Sequence, residues 1–341
     1  MQLPRPRGPV SAAVVGALRG GPFDAAATTA ATTAADLREA DVQLALWTAY
    51  ELGYRGFEDA DPDAERDLRV LAWRKVAEDL LEQDLRARTA TAVEEARASG
   101  RSVADRISAL VREAPGAPLT RHLQKHATRE QFQTYLADRS IYHLKETDPQ
   151  VRVLGWIDGP AKVAHAELLY DEYGGGRPER LHSHLFAEAM RAAGLDASYG
   201  AYLDTVEAPT LLSNNVMSLF GSQRRLRGAA LGHLAAFEAT STDPCRRIAA
   251  GAERVGLPDA VAAYFHEHVE ADAVHEQVVL GDICGTAVAA DPTIEDDVLL
   301  GAATCLLVDA EAAQALHDRL VAEEQRLAPP LRVVADERAA S

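Results

Sequence analysis

Strand-type alternation of apolar and polar residues is scarce in this chain, and alanine-rich segments with apolar residues three and four apart run through most of it. Alanine carries the best helix propensity, and the three-four rhythm is that of a helix with one buried face, so the chain can fold only as an assembly of helices. Aromatics make up just 6% of the residues, so the core must be built from small and aliphatic side chains. Helices are expected from near Asp36, over about 68–98, over "SVADRISALVRE", and in succession from about Arg121 to the closing "PTIEDDVLLGAATCLLVDAEAAQALHDRL". Between "DEYGGGRPERLHSHLF" and its surroundings, three glycines stop one helix, and Pro178 suits the first turn of the next. A helix pair over about 208–242 and a helix between Pro258 and Gly285 complete the series. The low-complexity "AAATTAATTAA" makes residues 1–35 a disordered tail in this reading, with 36–119 an N-terminal helical extension and 326–341 a frayed end. The band Val42, Leu44, Leu46, Trp47, Tyr50 and Leu52 fits packing on the rest of the chain or a homodimer interface.

The bulk numbers exclude several function classes. A net charge of −17 disfavours nucleic acid and anionic membranes as partners. The short basic cluster "SQRRLRG" is the one exception and reads as a solvated helix end. No run of eighteen apolar residues suggests a membrane span, and the N-terminal apolar stretch, broken by glycine and Arg19, is not a signal peptide. Cys245, Cys284 and Cys305 are widely separated with no CxxC, which fits a reducing cytoplasm. No GxGxxG, P-loop or GxSxG is present.

Chemistry concentrates in three segments. In "YFHEHVEADAVHEQ", His268, Asp272 and His275 are spaced i, i+4, i+7 and share an arc of roughly 60° on one helix face. Stepping along that face also gives Tyr264, Val279 and Asp282, so ionisable groups lie where burial is expected. A buried aspartate must be paired, hydrogen-bonded or metal-bound; an Asp–His hydrogen bond and a metal site both satisfy this. In "DEYGGGRPERLHSHLF", Asp171 and Glu172 precede the turn, and His182 and His184 follow it. Glu146 in "YHLKETDP" is a third candidate, though by position alone a surface glutamate. Together the segments can supply three carboxylates and three imidazoles, a mix suited to two iron or manganese ions.

These motifs, in this order, resemble the haem-oxygenase-like diiron oxidases, or iron-containing redox enzymes, over about residues 120–325. The resemblance implies an all-α, haem-oxygenase-like helical bundle with the N-terminal helical region as an addition. It further implies two non-haem irons held by Glu146, Glu172, His182, His268, Asp272 and His275, with O2 as co-substrate. Its members oxygenate amine nitrogen, cleave C–C bonds or desaturate small molecules, some drawing on an external electron donor. The separation of 26 positions from Glu146 to Glu172 also fits N-oxygenating members. In many members the helix matching 260–284 is well ordered only with metal bound, and the resemblance implies the same here. Glu179, which forms E-x-x-H with His182, and His184 are the alternative ligands; Asp282 is read as an acceptor behind the ligands, and His165 and Glu167 as surface or supporting residues. Tyr142, Trp156, Tyr264 and Phe265 are candidate pocket walls. The rival reading within the same broad fold is a metal-free binder of an organic ligand, of the PQQ-synthesis or thiaminase type.

Overall fold

The computed structural model describes residues 1–327 except 100, 101, 115 and 117, and gives the backbone alone for 271–274 and 324–327. Among the described residues there are helices and turns and no strand. In chain order the α-helices are α1 (Pro9–Leu18), α2 (Ala25–Ala34), α3 (Ala40–Glu51), α4 (Leu68–Ala98), α5 (Val103–Glu113), α6 (Leu119–Lys125) and α7 (Arg129–His143). They continue with α8 (Asp148–Val151), α9 (Gly159–Glu172), α10 (His182–Ala192), α11 (Ala208–Ser222), α12 (Arg227–Arg254), α13 (Asp259–Gln277), α14 (Thr286–Ala290) and α15 (Glu295–Leu327). A π-helical segment, Val278–Gly285, joins α13 to α14.

α12 is the axis of the assembly and packs on α15, α13, α6, α5 and α11. Gly232 of α12 and Gly301 of α15 let these two backbones meet. A Cβ on Gly232 would lie 1.8 Å from the Val298 carbonyl oxygen, and one on Gly301 would lie 1.9 Å from that of Ala229. α12 also runs further than the sequence suggests, continuing through Pro244 to Arg254. The missing N–H at Pro244 deprives the Thr240 carbonyl of its helical donor, and the surrounding contacts hold the helix regardless.

Residues 1–35 are not a disordered tail. Asp24 caps α2 by accepting from the Ala27 N–H at 3.0 Å, and Thr28 and Thr32 are buried. Their hydroxyls donate to the carbonyls four residues back, and Thr32 Oγ1 accepts from the Trp73 indole at 2.9 Å. The threonines that look like low complexity are therefore the face on which α4 packs. Residues Leu3 to Leu85 share one apolar core with residues of α11, α12 and α15, including Leu212, Ala229 and Val308. Nor is α3 a one-sided band: Gln43, Thr48 and Glu51 are as buried as Leu44 and Trp47. Among the described residues one helix, Pro292–Glu323, is long and apolar enough to cross a membrane by length and composition. Here it is a core helix, lying against α4, α5, α6, α11 and α12, with Val298, Leu299 and Ala302 fully enclosed. Arg225 and Arg227 of the basic cluster are paired with Glu82 and Asp291. Among the described residues no disulfide joins the cysteines. The end of the chain beyond Leu327 lies outside the described residues.

Candidate metal centre

Five of the residues singled out from the sequence, Glu146, Glu172, His182, His268 and His275, are buried and brought together. They come from four places in the fold. Glu146 sits in the turn between α7 and α8, held by its neighbours on both sides. Lys145 points away from it into the N-terminal helices. There its Nζ is 2.8 Å from Glu51 Oε2 and 4.2 Å from the centre of the Tyr54 ring, and the Tyr199 hydroxyl donates to the same Glu51 oxygen. Thr147 has φ +76°, a left-handed conformation that costs a β-branched residue about 1–2 kcal/mol. That turn aims the Thr147 hydroxyl at Glu172 Oε2, to which it donates at 3.0 Å.

Glu172 is the last residue of α9, and His182 is the first of α10. Between them Gly174, Gly175 and Gly176 all have positive φ, and Pro178–Arg180 makes a 3-10 turn. The result sets His182 Nδ1 3.1 Å from Glu172 Oε2, without the geometry of a hydrogen bond. Gly174 is the least replaceable of the three. At φ +83° its Cβ would lie 2.4 Å from the Arg177 carbonyl oxygen and 2.7 Å from the Leu181 nitrogen. Gly174→Ala is expected to cost at least about 2 kcal/mol and to weaken iron uptake, whereas Gly175→Ala, with no atom closer than 3.9 Å to a new Cβ, costs only the left-handed backbone term. Urea midpoints and iron content of the two variants separate the effects. The turn also separates Glu179 and His184 from the donor groups. Leu181 is non-helical, so Glu179 and His182 do not share a helix face, and both Glu179 and His184 are exposed.

α13 presents His268 and His275 to the same interior. The His268 Nδ1–H donates to the Tyr264 carbonyl at 2.9 Å, and the ring turns its Nε2 to Glu146 Oε1 at 3.5 Å. Tyr264 also supports Glu146 directly: its hydroxyl donates to Oε2 at 2.8 Å and lies 2.7 Å from His143 Nδ1. Asp272 falls in 271–274, whose side chains lie outside the described residues. Asp282 is exposed, on the π-helical segment, because the wider turn there rotates it off the stripe that an α-helix would continue. His165 is fully buried and its Nε2 lies 3.1 Å from the Gln150 carbonyl oxygen, while Glu167 is exposed.

Sequence reasoning missed one residue. Glu238 of α12 is buried, and its Oε2 lies 3.4 Å from His275 Nδ1, as does Glu172 Oε1. The donor atoms fall into two groups, Glu146–His182–His268 and Glu172–Glu238–His275, with the atoms of each group within 4.8 Å of one another. The available signal was a lone carboxylate at the end of the apolar run "GAALGHLAAFE", but its partners are distant in sequence.

The electrostatics favour cations here. Among the described residues no lysine or arginine lies within ion-pair distance of Glu146, Glu172 or Glu238, although all three are buried. Burial pushes the Glu146 and Glu172 carboxyls up, but the imidazoles of His268 and His143, and of His182, outweigh it and hold both below the usual carboxylate range. Burial wins at Glu238, whose carboxyl is raised despite His275. His182 is raised by Glu172 against the opposing effect of burial. A small internal cavity of about 10 Å³ lies among Glu146, Glu172, Glu238 and His268. Three buried carboxylates and three buried imidazoles, grouped in two sets, are a donor set for two hard-to-borderline cations. A bound metal needs these groups deprotonated, so iron affinity should fall as pH drops through the raised values of His182 and Glu238, and loading should release protons. Iron titrations at stepped pH with a proton-sensitive dye check both signs.

A second, larger cavity of about 630 Å³ reaches the same centre and is lined by Tyr264, Phe265, Glu146 and His268. Tyr142 borders the small cavity, and Trp156 borders neither but packs on the core. Residues 133–310 match the family described as iron-containing redox enzyme. Over 164 residues the chain is 29% identical to nitrosourea synthase of Streptomyces achromogenes subsp. streptozoticus, a match that covers 48% of this chain and 35% of that protein. The chain thus spans about a third of that relative's length. On the family match, which covers more than half of its residues, this haem-oxygenase-like all-α chain belongs to the iron-containing redox enzymes.

Proposed function

We propose that the protein is an O2-dependent non-haem diiron oxygenase acting on a small molecule, with N-oxygenation of an amine or amino acid as its reaction. The observation that carries this reading is the pair of buried donor groups with, among the described residues, no lysine or arginine within ion-pair distance of their carboxylates. Glu146, His182 and His268 would hold one iron, and Glu172, Glu238 and His275 the other, with Asp272 of α13 as a further ligand. When bound, two ferrous ions supply O2 with electrons that no side chain here can provide. The chain's own residues do the rest. Tyr264 and His143 fix the orientation of Glu146 and can pass a proton to or from its Oε2. Thr147 locks Glu172. Phe265 and Tyr264 wall the larger cavity, so the substrate meets the centre on the Glu146–His268 side.

N-oxygenation is preferred to C–C cleavage or desaturation because the relative is named for making a nitrosourea, in which a nitrogen bears oxygen. The test is anaerobic Fe(II) loading, iron counting and exposure to O2 followed by absorbance. About two irons per chain and a transient visible band support the reading. No iron uptake and no band would overturn it in favour of a metal-free ligand binder. Iron loading is also expected to slow amide exchange along residues 264–285, since it removes the cost of burying the ligands uncompensated.

A further inference from the structure

The larger cavity carries charge that the metal centre does not use. Arg139 of α7 lines it, and among the described residues no carboxylate oxygen lies within 4.0 Å of its guanidinium. Asp138 and Asp309 line the same cavity. Asp138 is 3% exposed; its Oδ2 accepts from the Thr210 hydroxyl at 2.9 Å, but its Oδ1 is buried without a hydrogen-bond partner. Asp309 Oδ1 accepts from Ser213 at 2.6 Å, and its Oδ2 has only the Cys305 thiol, at 3.6 Å. A half-buried guanidinium, a half-buried carboxylate and the buried Asp138 that stop short of pairing with one another cost stability, and the cost is repaid only if something else completes them.

We propose that this cavity takes an α-amino acid, with Arg139 holding its carboxylate, Asp138 and Asp309 its ammonium, and its side chain extended toward Glu146 and His268. This rests on the proposed function and narrows its substrate class. A simple amine would leave Arg139 without a partner. A fatty acid would place its chain against Asp138 and Asp309 and leave both without a cation. A zwitterion satisfies the three together, since its opposite charges sit on one carbon. Burial works against the Arg139 charge, but Tyr135, Asp309 and Asp138 keep it protonated, while burial raises the Asp138 carboxyl, so the site is set to gain from an incoming ammonium. The cavity volume of about 630 Å³ is ample for any amino acid side chain.

The experiment is binding by calorimetry and thermal shift to the full chain, with and without Fe(II). The panel is the proteinogenic L-amino acids, their decarboxylated amines and linear fatty acids. At least one amino acid should bind, its decarboxylated amine should bind at least about tenfold more weakly, and Arg139→Gln should weaken the amino acid by a similar factor while iron content stays at the wild-type level. Asp138→Asn should weaken the amino acid and not an N-acetylated form. Binding of amines or fatty acids in preference to every amino acid, no binding of any amino acid, or amino acid affinity unchanged in Arg139→Gln would each overturn the proposal. The iron count separates the two readings. Iron-loaded protein without Arg139-dependent binding rejects this proposal alone; Arg139-dependent binding without iron uptake rejects the diiron reading alone.

Discussion

Replacing Glu238 by alanine should lower the iron content from about two to about one per chain, and oxygen-dependent turnover by more than about a hundredfold. Glu238 and Glu172 approach His275 Nδ1 at the same 3.4 Å, so the loss removes one wall of a donor group and leaves the other group intact. The apo protein provides a second readout. Burial raises the Glu238 carboxyl, so in the absence of metal that side chain is a burden on the fold. Metal-free Glu238→Ala and Glu238→Gln should therefore melt no lower than the metal-free parent, apart from the small cavity that alanine leaves. What they lose is the stabilisation that iron adds. A variant with full iron and full turnover would remove Glu238 from the centre. Glu179→Ala, at an exposed position, should change neither.

Gly232→Ala should cost about 3 kcal/mol or more. Most small-to-large changes in a core meet side chains that can rotate aside. Here the new methyl group would lie 1.8 Å from a backbone oxygen of α15, so two long helices must separate. That separation would also shift α12, and with it Glu238, so iron binding should weaken in protein that still folds. Gly16→Ala in α1 is the control, since its Cβ would meet nothing within 4 Å, and it should be neutral or slightly stabilising. Urea unfolding of both variants, with iron counted in the folded fraction, measures the contrast.

Local rules and short spacings made much of this protein legible from its sequence. Helix propensity and the three-four rhythm gave the all-helical fold, and α4 occupies the span expected for it, Leu68–Ala98. His268 and His275 share a face because their spacing is that of a helix, and the glycines after Glu172 mark the turn that returns the chain to His182. Tertiary contacts decided what these rules could not. Thr28 and Thr32 are surface-like by composition and become a packing face only when Trp73 meets them. Glu179 shares no helix face with His182 because Leu181 is non-helical, and the glycine turn brings His182, not the exposed His184, to Glu172. The stripe of α13 stops short of Asp282 because the backbone widens to a π-helix there. Glu238, 37 residues from His275 in the chain, reaches it because α12 and α13 pack side by side, and Arg139 has no ion-pair partner among the described residues because α7 and α15 both line a cavity. Sequence patterns carry what one helix or one turn does by itself; which buried charges face one another depends on how separate helices are docked, and that is set by close approaches such as Gly232 against Val298.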